Sequence, residues 1–142
     1  MFPYHTKVRK LAGTDYREIH SQALNIFKQI KSKTKRRPYV RSAYFKKQKI
    51  FFDYFWQHLW QKSWKERTKR LKYFPCAIDL IQNSHQEPIS KQNPNRKPEI
   101  LHRFFGLIKD KELFIVQIKE DKKTDRKYLM SIFPGKTKED FR

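Results

Sequence analysis

Cysteine is nearly absent from this chain. Cys76 is the single one among 142 residues, so an internal disulfide is excluded. No His-rich or Cys-rich cluster accompanies it, which argues against a structural zinc site. Long apolar runs are missing as well: nothing approaches the roughly 18 residues that a membrane-spanning helix needs, so no membrane role is expected. The first residues, MFPYHTKVRK, lack the apolar stretch of a secretory signal, and a cytoplasmic location is expected. Acidic side chains are scarce, 14 against 34 Lys and Arg, which leaves a formal net charge of +20. That imbalance favours polyanionic partners, nucleic acid ahead of anionic membrane.

What the chain does have is aromatic. Twelve Phe, seven Tyr and three Trp can build a core even though hydrophobic residues make up only 37% of the sequence. The length fits a single domain over 1–142. Its charge is uneven: from Lys31 to Lys49 there are nine basic residues and no acidic one. Within that run Lys35, Arg36, Arg37 and Arg41 are expected to contact RNA phosphates.

Residues 1–13 read as an extended arm ending at Gly13. Thr14 then caps a helix over about Asp15–Ser32, where Ile19, Ala23, Ile26, Phe27 and Ile30 recur at helical spacing. Pro38 breaks the pattern. A second helix is expected from Ser42 to about Lys72, carrying the rows Phe51, Phe55, Leu59 and Phe52, Trp56, Trp60, Trp64. Residues 14–72 thus form a helical half. Tyr73–Gln82 reads as a first strand, and Asn83–Pro98, with three prolines, as a long loop. Strands follow at about Leu101–Ile108, Leu113–Glu120 and Lys127–Phe133, before a tail over 135–142. The fold class expected is α+β: two N-terminal helices packed on a four-stranded antiparallel β-meander over 73–134.

The last three strands carry the chemistry. Pairing Ile108 with Leu113 sets His102 opposite Lys119 and gathers Phe105, Leu107, Phe114, Val116, Ile118, Tyr128, Met130 and Ile132 on a core face. The other face then presents His102, Phe104, Ile115, Gln117, Lys119, Lys127, Leu129 and Ser131. Cleaving RNA without metal requires a proton acceptor for the 2′-OH, a proton donor for the leaving 5′-oxygen, and positive charge for the phosphorane. An imidazole titrates near neutrality and suits either proton role, here His102. Lys119 is placed to neutralise phosphate, Ser131 to hydrogen-bond a non-bridging oxygen, and Arg103, Arg126 and Lys127 to clamp phosphates. The plainer readings are a structural His102 and an edge-guarding Lys119. Carboxylates do not cluster on this face; Glu120, Asp121 and Asp125 lie in or beside a turn, so metal catalysis is not expected, and no cofactor is.

Two helices, a strand like PCAIDLI, and the run HRFFG…FIVQIKE…RKYLMSIFP resemble phage- and toxin-associated nucleases of the barnase, EndoU, colicin and RelE-like superfamily. The resemblance covers roughly 73–134 and implies a small metal-independent endoribonuclease on an α+β sheet. It implies catalytic roles for His102 or Arg103, Lys119 and Ser131, leaving Arg126, Lys127 and Gln117 as RNA-binding candidates. It further implies a toxin of a toxin–antitoxin or phage-conflict system, countered by an acidic antitoxin. The alternatives are a non-catalytic RNA- or DNA-binding protein and a structural phage or plasmid protein.

Overall fold

The computed structural model describes residues 2–135. The expected tail lies outside the described residues, apart from Gly135. In chain order the elements are β1 (Tyr4–His5), α1 (Tyr16–Ser32), β2 (Tyr39–Arg41), β3 (Lys49–Phe51), α2 (Phe55–Trp60), α3 (Trp64–Leu71), α4 (Phe74–Asn83), β4 (Ile89–Gln92), β5 (Glu99–Leu107), β6 (Leu113–Asp121) and β7 (Arg126–Pro134). The strands form one curled, seven-stranded mixed sheet in the order β1-β5-β6-β7-β3-β2, with β4 also pairing β5. The expected two helices on a four-stranded antiparallel meander are therefore incorrect: among the described residues there are four helices, and the pairs β1/β5 and β3/β7 are parallel.

Local chemistry explains each departure. The expected helix over 42–72 is a hairpin followed by two short helices. Lys46 and Lys47 adopt left-handed φ of 55° and 65°, which closes the turn between β2 and β3 and is incompatible with a continuing helix. Aromatic i,i+4 spacing yields a helix only over Phe55–Trp60; Ser63 then caps α3 by accepting from the Glu66 amide at 3.3 Å. The expected strand at 73–82 is helix α4, with Pro75 in its first turn, where a missing N–H costs nothing. A short apolar run buried on most sides carries no periodicity to separate strand from helix. Part of the expected loop 83–98 is β4, paired antiparallel with β5.

The three long strands stand close to where they were expected, in a register one residue different. Leu107 pairs Leu113, Phe105 pairs Ile115 and Leu101 pairs Lys119, so His102 lies opposite Ile118. On β6 the expected core face holds: Phe114, Val116 and Ile118 join the main core. On β5 the slip inverts the faces, and Phe104 takes the place expected for Phe105 in that core. A bulge opposite Gln117/Ile118 inserts Met130 between Leu129 and Ser131, so Leu129 and Ile132 both reach the core face. Facing them are Ile19 and Ala23 of α1, Phe55 and Leu59 of α2, and most of α4. Gly106 is required by its partner: a Cβ there would lie 2.3 Å from Cζ of Phe114.

The N-terminal arm is tied down rather than loose. Asp79 of α4 accepts from the Tyr4 hydroxyl at 3.1 Å and the Lys7 amide at 2.8 Å. Lys10 bridges Glu112 at 2.8 Å, and the same carboxylate accepts from the Tyr73 hydroxyl at 2.6 Å. These contacts, Lys10 foremost, hold the Glu112 carboxyl below its ordinary range. Among the described residues no helix is long and apolar enough to cross a membrane.

Candidate active site

Where the core face runs out toward the N-terminal end of β5, it ends in polar side chains instead of apolar ones. Ser90 of β4 pairs directly with His102 of β5, and its Oγ lies 2.6 Å from Nδ1. Glu120 sits two residues beyond Ile118, the cross-strand partner of His102, and therefore on the same face; its Oε1 lies 2.8 Å from Nε2. Lys127 of β7 is the cross-strand partner of Glu120, with Nζ 3.7 Å from Oε2. Four neighbouring strands thus contribute one residue each to a chain Ser90–His102–Glu120–Lys127.

The turn between β2 and β3 closes over this chain. Gln48 Oε1 accepts from Lys127 Nζ at 2.6 Å, and Asp125 takes a second bond at 3.2 Å. The Phe45 ring meets His102 edge-on at 5.0 Å between centroids, and Lys127 Nζ lies 5.1 Å from the same ring. Two left-handed lysines let the turn push Phe45 inward while Lys46 and Lys47 stay exposed. Ser42, itself buried, fixes that geometry by accepting the Lys47 amide at 2.7 Å and the Phe45 amide at 3.1 Å.

The tautomer of His102 follows from its partners. An ionised Glu120 only accepts, so Nε2 carries the proton and Nδ1 offers its lone pair to the Ser90 hydroxyl. The imidazole itself is 7% exposed, whereas Ser90 is exposed, so solvent reaches the chain from the Ser90 side. A base oriented by a carboxylate and bonded to an exposed hydroxyl can shuttle protons at that hydroxyl.

The remaining expected site residues stand elsewhere. Lys119 is on the opposite face, paired with Glu99 at 2.9 Å and with Nζ 4.5 Å from the Tyr54 ring centre, so the adjacent imidazole and ammonium expected from the sequence do not form. Burial alone would raise the Glu99 carboxyl; hydrogen bonds from Lys119 and Asn93 outweigh it and leave the group below its ordinary range. Arg103 donates to Gln117 at 3.0 Å, and Ser131 accepts from Arg70 at 2.9 Å, with both guanidiniums against the Phe133 ring. These make a second polar ladder, apart from His102. Lys35 and Arg36 are exposed, and Arg37 is ion-paired with Asp53. Lys127, expected to clamp RNA, is 3% exposed and belongs to the buried chain.

Beside the turn lies the main groove, about 730 Å³, between the end of α1, strand β2 and the end of α4. Lys33, Arg41, Lys47 and His85 stand along it, and among the described residues no carboxylate lines it. Arg41 also borders a second groove of about 330 Å³ that contains Arg126 and Gln48. Of the residues gathered here, the sequence reading named His102, Lys127, Arg41 and Arg126 as site residues, and did not so name Ser90, Glu120, Phe45 or Gln48. Ser90 was hidden in a segment read as loop, and Glu120 by the slipped register. Among the described residues no group of three His, Cys, Asp or Glu side chains stands close enough to hold a metal ion.

No protein-family model, curated protein or solved structure matches this chain.

Proposed function

We propose that this chain is a metal-independent endoribonuclease whose acid–base centre is Ser90–His102–Glu120. The observation that carries this reading is the unbroken hydrogen-bonded chain from an exposed hydroxyl to a buried, carboxylate-oriented imidazole, beside a groove lined by cations. In this reading the RNA 2′-OH donates to Ser90 Oγ as the Ser90 proton passes to His102 Nδ1. The 2′-oxygen attacks phosphorus, and the proton returns by the same path to the departing 5′-oxygen. Products are a 2′,3′-cyclic phosphate and a 5′-hydroxyl. Glu120 stabilises the transient imidazolium, Lys127 positions Glu120, and Arg41, Lys46 and Lys47 neutralise phosphate charge. Lys119, Arg103 and Ser131 then have no part in proton transfer.

The proposal extends to a cytoplasmic toxin of a toxin–antitoxin or phage-conflict system, held in check by an acidic protein over the basic groove. The test is cleavage of an unstructured, end-labelled RNA. His102→Ala and Glu120→Gln should each lose on the order of 10²-fold or more in rate, with RNA binding retained. Intact RNA with the parent protein, or undiminished cleavage by His102→Ala, overturns the reading.

A second reading has one observation in its favour. An imidazole 7% exposed beside a buried lysine suits a structural clamp, which would leave a non-catalytic basic RNA- or DNA-binding protein. Binding that drops steeply with salt and ignores changes at His102, with no cleavage, would select it.

A further inference from the structure

We infer that the groove between α1, β2 and α4 is a subsite for an unstacked base of single-stranded RNA. This goes beyond the cleavage chemistry and rests on the nuclease reading only for its relation to Ser90. Its floor is apolar, from Ile30, Val40 and Ala43. Such a floor has no use for a phosphate; it accepts a ring face. Thr34, Gln82 and Asn83 bring hydrogen-bonding groups to the same cavity, of the kind that read base edges.

The rim is built for the flanking phosphates. Arg41 donates to the Lys47 carbonyl at 3.0 Å, and its guanidinium lies 5.4 Å from the Tyr39 ring centre. Lys49 Nζ lies 4.7 Å from the same ring. Cations already held against an aromatic lose less freedom on meeting a phosphate than free side chains do. With Lys33 and Lys47, Arg41 supplies positive charge along a cavity that, among the described residues, no carboxylate lines. A duplex keeps its bases stacked and paired and has no ring to place on that floor, whereas a single strand can splay one out. Arg41 borders the second groove too, so a strand leaving the floor can continue toward Arg126.

The turn that closes this cavity through Ala43 and Lys47 is the one that covers His102 through Phe45. One turn thus borders both the cavity and the Ser90–His102 chain, which makes the cavity a specificity site near the cut.

The test uses a fluorescent, all-2′-deoxy single strand of about eight nucleotides, which cannot undergo transphosphorylation, so binding is read whether or not the chain is a nuclease. We expect at least tenfold tighter binding of the single strand than of the same sequence as duplex. The triple variant Lys33→Ala, Arg41→Ala, Lys47→Ala should lose at least tenfold and flatten the dependence of log K on log salt by about 2, from about 0.7 per phosphate. Ala43→Trp should fill the floor and abolish the single-strand preference while leaving the salt slope unchanged. Should Ala43→Trp fail to fold, Thr34→Trp at the rim of the same cavity carries the same expectation. Equal or tighter duplex binding, or a filled floor with full single-strand preference, overturns the inference. Loss of cleavage with intact single-strand binding overturns only the nuclease reading.

Discussion

Lys127→Met probes the buried chain most sharply, because the lysine is the one full positive charge inside it. Its side chain is 4% exposed, so solvent screens it little. Three groups meet its ammonium: Gln48 at 2.6 Å, Asp125 at 3.2 Å and Glu120 at 3.7 Å. Asp125 is 69% exposed and rehydrates freely when the lysine is gone, contributing next to nothing. Glu120 is 19% exposed and keeps His102, so it is left half-paired rather than stranded. Losing one partner of a buried pair costs about 3–5 kcal/mol. Methionine restores apolar contact with Phe45 and offsets some of this, for a net loss of about 2–3 kcal/mol. That corresponds to a fall in melting temperature of roughly 6–12 °C at this chain length. Urea unfolding should show a lower midpoint at unchanged slope. Adding Glu120→Gln to Lys127→Met should cost less than the two separate losses together, since the carboxylate no longer needs its counter-ion. A Lys127→Met protein as stable as the parent refutes this account of the chain and leaves the lysine free for a surface role.

Gly106→Ala forces a methyl into the Phe114 ring, which is fully buried, and should destabilise by about 1–3 kcal/mol; Phe114→Leu in the same chain should recover part of it, as thermal unfolding will show. Asp79→Ala removes the acceptor for the Tyr4 hydroxyl and Lys7 amide, so amide exchange across the N-terminal arm should accelerate and stability should drop by about 1–3 kcal/mol. Stability should also fall on acidification because two histidines are held neutral by the fold. Burial, then Arg67, lowers the pKa of His20, and burial, then Lys62 and Arg70, lowers that of His58. Both groups bind protons more readily unfolded, so their contribution is complete above the ordinary value of 6.5 and declines as pH drops below it. His20→Gln, which replaces a ring whose Nε2 has no hydrogen-bond partner among the described residues, should flatten that decline in denaturant midpoints taken across pH.

The strands that carry His102, Glu120 and Lys127 were legible because period-2 alternation in Leu101–Pro134 is strong. The register was not. Taking Ile108 rather than Leu107 as the partner of Leu113 is a shift of one residue, and it inverts every side chain of β5. Gly106 held the missing clue: a glycine within an apolar strand marks a close cross-strand neighbour, here Phe114. The bulge at Met130 had no comparable signature, so Lys127 and Leu129 were set on the wrong side. The helical half misled for another reason. Phe51 and Phe52 fit helical rows with Phe55 and Trp56, but Phe51 is a strand residue, and only the left-handed pair Lys46–Lys47 separates the two states. Lysines give no local warning of such a turn, as Asn or Gly would. The basic run from Lys31 to Lys49 was visible as charge, whereas its folding into a groove depends on α4, which reads as a strand from sequence.

In the proposed reaction a 2′-OH seated at Ser90 surrenders its proton to His102. A DNA oligonucleotide carrying ribose at a single position isolates that step. One cut is expected, immediately 3′ of that ribose, leaving a 2′,3′-cyclic phosphate, and none with His102→Ala. Scission at deoxyribose positions, or an oligonucleotide bound and left whole, contradicts it.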